Sequence, residues 1–208
     1  MPRPVSAQNI INVGGIPIPP ALLQHRVSVP GAGEWIDKVL WATQTYLAAG
    51  VSFLDYFLTT SAVLYTSNME ASGQLPGDKE FLIRAIGVEV INTAAAAQTD
   101  IADFFSIIQR GVARLFIGNK DYSEWPIYLL PSSGGVAGMR FTNTAATLGL
   151  VLSNGVPDVR NSYTLSRPLL IPRQLNFRIR LEWPGATAVT SNFDVRVVLK
   201  GEISRQIQ

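Results

Sequence analysis

The side chains best suited to chemistry are scarce in this chain, and those present stand in poor company. Its one histidine, His25, lies between Gln24 and Arg26 in a proline-rich stretch. A catalytic or metal-binding imidazole works with a second base, acid or ligand, and none is near it in sequence. The expectation for His25 and Arg26 is therefore a surface position, as candidates for contact with a neighbouring subunit.

Carboxylate pairs can hydrolyse glycosides when folding sets them at the right separation. Asp100 and Asp103 instead sit where the positive end of a helix favours negative charge. Glu80 and Glu89 are nine positions apart near one expected strand, an odd spacing that sends them to opposite faces. The glycine-rich "SSGGVAG" at 132–138 lacks the lysine and hydroxyl of a phosphate loop and does not open a helix. A long turn needing positive φ accounts for it. The absence of cysteine excludes disulfides, thiolate zinc sites and a cysteine nucleophile. No enzyme class, metal or cofactor follows from these residues.

The most regular chemistry lies in "NFRIRLEW". There Phe177, Ile179, Leu181 and Trp183 alternate with Arg178, Arg180 and Glu182, the period-two pattern of a half-buried strand. Arg196 occupies the same kind of position in "FDVRVVLKGEI". A single-stranded nucleic-acid platform needs exposed aromatics between its arginines. Phe177, Trp183 and Phe193 fall instead on the apolar face, and Glu182 and Asp194 dilute the positive charge. Arg178, Arg180 and Arg196 are expected on solvated or subunit-facing surface, with no sequence-specific binding of nucleic acid.

The elements that must carry these residues read mostly as strands. Pro2, Pro4, Pro17, Pro19, Pro20 and Pro30 make residues 1–33 an extended arm with little regular structure of its own. Between Glu34 and Ala49 the pattern is ambiguous, with Ile36, Leu40, Thr43 and Leu47 on one helical face and Gly50 as a stop. "VSFLDYFLTTSAVLYT" and "FLIRAIGVEVI" read as strands. A helix follows, capped by Thr99 and ended by Gly111, with Ile101, Phe104, Phe105 and Ile108 as its buried stripe. From there "VARLFIG", "WPIYLLP", "GMRFTN", "TLGLVLS", "SYTLSRPLLI" and the two arginine-bearing strands run to the end between turns. That spacing argues for an antiparallel sandwich or barrel over residues 34–208.

The bulk composition agrees with a covered surface. Charged residues are only 15% of the 208 and hydrophobic ones 47%, while net charge is +2. Arginine outweighs lysine, as suits interfaces. No run reaches the roughly 18 apolar residues that span a bilayer, and proline and glycine interrupt the apolar start that a signal peptide would need. A soluble protein is expected.

"SGQLPGDKEFLIRAIGVEV", the helix "TDIADFFSIIQRG", "VARLFIGNKDYSEWPIYLLPSSGGVAG" and the closing "LLIPRQLNFRIRLEW" and "FDVRVVLKGEI" together resemble the jelly-roll major capsid proteins of icosahedral, often membrane-containing, bacteriophages. The resemblance covers roughly residues 50–204 and is one of pattern and order. It implies a mainly β chain: a single jelly-roll sandwich of about eight antiparallel strands, with one crossing helix and an extended N-terminal arm. It further implies a virion subunit, made in the host cytoplasm, that assembles with copies of itself into hexameric or higher capsomers. Other virion proteins, and an internal membrane beneath the arm, are the further partners it implies. No enzymatic residue and no cofactor is carried over. The competing expectation is a carbohydrate-binding sandwich of the phage-spike or lectin kind, which needs an exposed aromatic platform from Trp35, Trp125 and Tyr128.

Overall fold

The computed structural model of the chain describes residues 33–77, 79–92, 101–130 and 162–206, together with short strands at 11–13, 16–18, 137–139 and 151–153. In chain order the elements are β1 (Ile11–Val13), β2 (Ile16–Ile18), β3 (Gly33–Tyr46), β4 (Phe53–Tyr56), β5 (Phe81–Asn92), helix α1 (Ile101–Arg110), β6 (Val112–Ile117) and β7 (Lys120–Pro126). A 3-10 turn at Ile127–Leu129 follows, then β8 (Ala137–Met139), β9 (Val151–Ser153), β10 (Tyr163–Ile171), β11 (Phe177–Glu182) and β12 (Phe193–Gln206). Thr99, Asp100, His25 and Arg26 lie outside the described residues.

Eight of the strands form two four-stranded antiparallel sheets, ordered β10-β5-β12-β3 and β4-β11-β6-β7. The pairings are nested: β3 with β12, β4 with β11, β5 with β10 and β6 with β7. The chain thus behaves as one long hairpin, closed at the β6–β7 turn and wound over itself into a sandwich. This winding is the jelly roll. Within residues 1–32 the described residues form a β1–β2 hairpin with Asn12 opposite Pro17.

Alternation builds the interior. Phe177, Ile179 and Leu181 of β11 point inward, as do Phe193, Val195, Val197 and Leu199 of β12, all of them buried. Trp183 closes one end, its ring edge against Tyr46 at 4.8 Å and its Nε1 donating to the Ile107 carbonyl at 2.7 Å. That bond ties α1 to the sandwich and satisfies the polar atom of a buried indole. Among the described side chains of α1, which do not include that of Ile101, Phe104, Ile107 and Ile108 are buried. Phe105, expected in that stripe, is 36% exposed, and Ile107 takes its place because the covered face is rotated by part of a turn.

One ambiguity is resolved and two further expectations are corrected. Residues 34–46 are strand, not helix: Ile36 and Leu40 are four apart, a spacing that satisfies both periods, and pairing with β12 along all 14 residues decides for the strand. The strand expected over 51–66 ends at Tyr56, because Phe57 adopts φ 70° and turns the chain away. Its continuation runs beside the free edge of β3. Thr43 N donates to Thr66 O at 2.7 Å and Asn68 Nδ2 to Val39 O at 2.7 Å, covering an edge that would otherwise template aggregation. Finally, "WPIYLLP" is not one strand: β7 begins earlier, at Lys120, and stops at Pro126, which has no N–H to donate.

Candidate functional site

Arg178 and Arg180 project from the outer face of the β4-β11-β6-β7 sheet, as their alternation with buried neighbours requires. The register sets Arg180 opposite Asp55 on β4 and opposite Arg114 on β6. Arg180 grips Asp55 with both prongs, Nε to Oδ1 and Nη2 to Oδ2, each at 2.8 Å. These bonds raise the Arg180 pKa above its already high ordinary value. Arg178 comes no nearer than 3.8 Å to the same Asp55 oxygen, and its Nε is buried without a hydrogen-bond partner. On the other side Arg114 stands 3.3 Å from Glu124 and 3.6 Å from Glu182.

Three guanidiniums therefore face three carboxylates on one sheet surface. Aromatic rings also lie among them: Arg180 over Phe53 at 4.4 Å and Arg178 over Phe116 at 4.7 Å. Phe177, Trp183 and Phe193 are buried on the apolar face, as expected, whereas Phe53 and Phe116 were not singled out in the sequence. The alternation of Phe53 and Asp55 against Leu54 and Tyr56 in "FLDY" is the signal that finds them. The surface combines arginine with aromatics as a nucleic-acid platform does, but its charge is cancelled locally, leaving no net attraction for a phosphate backbone.

Arg196 lies on the outer face of the other sheet and does not meet the first two. It stands 3.3 Å from Glu89, donates to Thr43 Oγ1 at 3.1 Å and covers the Tyr65 ring at 4.8 Å. Asp194 beside it accepts from Thr45 Oγ1 and Tyr65 Oη. This group pins the 63–68 segment onto β3. The acid pair Glu80 and Glu89 does not divide between the faces as nine positions would require: β5 carries one extra residue, Arg84, in its ladder with β12, which reverses the alternation. Glu80 meets Arg173 at 3.2 Å and Glu89 meets Arg196, so each has an arginine of its own. Asp103 does more than favour a helix start, since its Oδ2 accepts from Thr190 N at 2.9 Å.

Of the aromatic platform candidates, Trp125 is buried, with its ring 6.4 Å from Tyr163, Trp35 is half-buried, and Tyr128 alone is well exposed. Among the described residues no three acidic or histidine side chains cluster to hold a metal ion, and no helix is long and apolar enough to cross a membrane.

One concave feature adjoins the arginine face. An open groove of about 460 Å³ lies where the β6–β7 turn at Gly118 and Asn119, the approach to β11 at Asn176, and the loop through Leu58, Ser72 and Gly73 come together. Arg178 and Phe116 form its wall on the sheet side. Backbone bonds fix the three segments: Gly118 N to Asn176 O at 2.6 Å, Phe177 N to Gly73 O at 2.8 Å and Gly73 N to Phe57 O at 2.8 Å.

No known family, curated protein or solved structure matches this chain. Function must be argued from the fold, the two charged faces and the groove.

Proposed function

We propose that this protein is a virion structural subunit, a single-jelly-roll capsid protein that assembles with copies of itself into capsomers of an icosahedral shell. The observation that carries this reading is the nested pairing of the eight sandwich strands, β3 with β12 inward to β6 with β7. It joins a sequence whose order of strands, helix and turns resembles that capsid family. Fold alone does not give function, so the surface must support it too.

It does so in two ways. The outer faces carry arginines paired with carboxylates of the same chain, leaving arginine-rich surfaces with little net charge, of the kind that pack against neighbours. Apolar side chains also stand exposed where a lone subunit gains nothing from them: Val63 is 60% and Leu64 70% exposed on the loop beside β3. A chain with 15% charged residues has little polar surface with which to keep such loops from associating.

Light scattering behind a sizing column tests the reading. A capsid subunit gives a discrete multiple of 22.6 kDa or grows into particles of megadalton size as concentration rises. A species that stays at 22.6 kDa at the highest attainable concentration overturns it.

A further inference from the structure

The groove beside Arg178 has a composition that neither the sandwich nor the assembly reading explains. Its lining among the described residues includes Arg178, Asn119, Asn176 and Ser72 but no aspartate or glutamate. Of the three arginines on this face Arg178 stands farthest from a carboxylate: Asp55 is already held at 2.8 Å by both prongs of Arg180, and the 3.8 Å approach of Arg178 is too long for a hydrogen bond. Its Nε is buried, and stacking on Phe116 holds the guanidinium in place, so the donors it can offer to a ligand are those on Nη1 and Nη2.

The amides extend that offer. Asn176 Oδ1 accepts from Gln74 Nε2, which orients the side chain and leaves its Nδ2 to donate. Asn119 stands exposed on the β6–β7 turn with no hydrogen-bond partner among the described residues. Leu58 supplies an apolar wall, and glycines at 73 and 118 keep the floor free of side chains. A volume of about 460 Å³ falls in the range of small-ligand sites and suits one or two sugar rings.

From these features we infer that the groove binds an acidic sugar, a carboxylate carried on a hydroxylated ring. The carboxylate pairs with the Arg178 guanidinium. The ring hydroxyls, each both donor and acceptor, meet the Asn119 and Asn176 amides, and the apolar face of the ring lies against Leu58. A carboxylate supplies to Arg178 the short-range charge that Asp55 gives to Arg180; Asp55 itself is 3.8 Å from the Arg178 Nε, is held by both prongs of Arg180 and is not among the described lining residues. The inference stands apart from the assembly reading, since a monomer or a shell subunit would carry the same groove.

Calorimetric titration of the full chain with glucuronate, glucose and acetate is the test. A single ring in an open groove should bind with a Kd on the order of 1 mM. Glucose, without the charge, and acetate, without the ring, should each bind about tenfold more weakly. Arg178→Gln should weaken glucuronate about tenfold or more. Asn119→Asp, at an exposed turn where folding is not at stake, should do the same by opposing the ligand's charge. Absence of saturable glucuronate binding, equal binding of glucose or acetate, or indifference to both substitutions would each overturn the inference. Should Arg178→Gln fail to fold, Asn119→Asp decides alone.

Discussion

Asp55 and Arg180 are joined by two parallel hydrogen bonds of 2.8 Å across the β4–β11 ladder, and the same carboxylate is the nearest acid to Arg178. One aspartate thus serves two arginines on an edge strand of four residues, Phe53–Tyr56. Both side chains of the bidentate pair are under one-third exposed, so solvent screens it less than an ordinary surface pair.

Asp55→Ala is therefore expected to cost about 1–2 kcal/mol of stability, measured by urea unfolding. A double-mutant cycle with Arg180→Ala should show coupling of about 1 kcal/mol. Zero coupling would mean that the strand is held by its backbone ladder alone.

Tyr56 is fully buried and its hydroxyl has no hydrogen-bond partner. Burial, with a smaller contribution from the Asp194 charge, raises its pKa well above 10.0. Since the folded value lies above the unfolded one, the stability linked to this group is fully present below pH 10.0 and is lost as pH rises beyond it. Tyr46 shifts in the same direction by burial, whereas Lys200, lowered by burial, works with the opposite sign as pH falls below 10.5. Tyr56→Phe should leave stability at neutral pH unchanged or raise it by about 1 kcal/mol, because an unsatisfied buried hydroxyl is removed. The same variant should show a shallower alkaline decline than the wild type when urea midpoints are compared at pH 8 and about pH 10.5. An identical slope would show that other groups govern alkaline unfolding.

Gly201 on β12 lies where β5 bulges at Arg84. A Cβ there would overlap the Leu82 carbonyl oxygen and come within 3.1 Å of the Phe81 ring. Backbone cannot yield as a side-chain tip does, so Gly201→Ala is expected to cost about 3 kcal/mol, visible as a lowered Tm or as insoluble expression. Wild-type stability in this variant would show that the bulge can relax.

Val63 and Leu64 are the most exposed large apolar residues among those described. Replacing both with serine should change monomer stability by less than about 0.5 kcal/mol, because neither contributes to the core. If a neighbouring subunit covers them, the replaced protein should shift toward smaller species on the sizing column. Unchanged assembly would move the interface elsewhere on the sandwich.

Several features were legible in the sequence for local reasons. The inward set Phe177, Ile179, Leu181 and Trp183 follows from strict alternation, which admits only one assignment of faces. The helix from Ile101 to Arg110 follows from its apolar stripe, although Phe105 shows that a stripe fixes a face only to within part of a turn. Residues 34–46 were not legible, because side chains four apart fit helix and strand equally and only β12 breaks the tie.

What the sequence by itself determined is the mainly β class, the inward faces of the strictly alternating strands and the scarcity of catalytic groups, since these depend on periodicity and composition. What only the tertiary structure decided is which charges meet. Asp55 lies 125 positions from Arg180, and Tyr65 lies 129 from Asp194. The segments that form the groove at Ser72, Asn119 and Asn176 are also far apart in the chain. Such partners are chosen by strand register and by the nesting of the wound hairpin, and a bulge of one residue at Arg84 is enough to alter them. Local sequence encodes which face a residue takes; only the closed fold determines what stands opposite it.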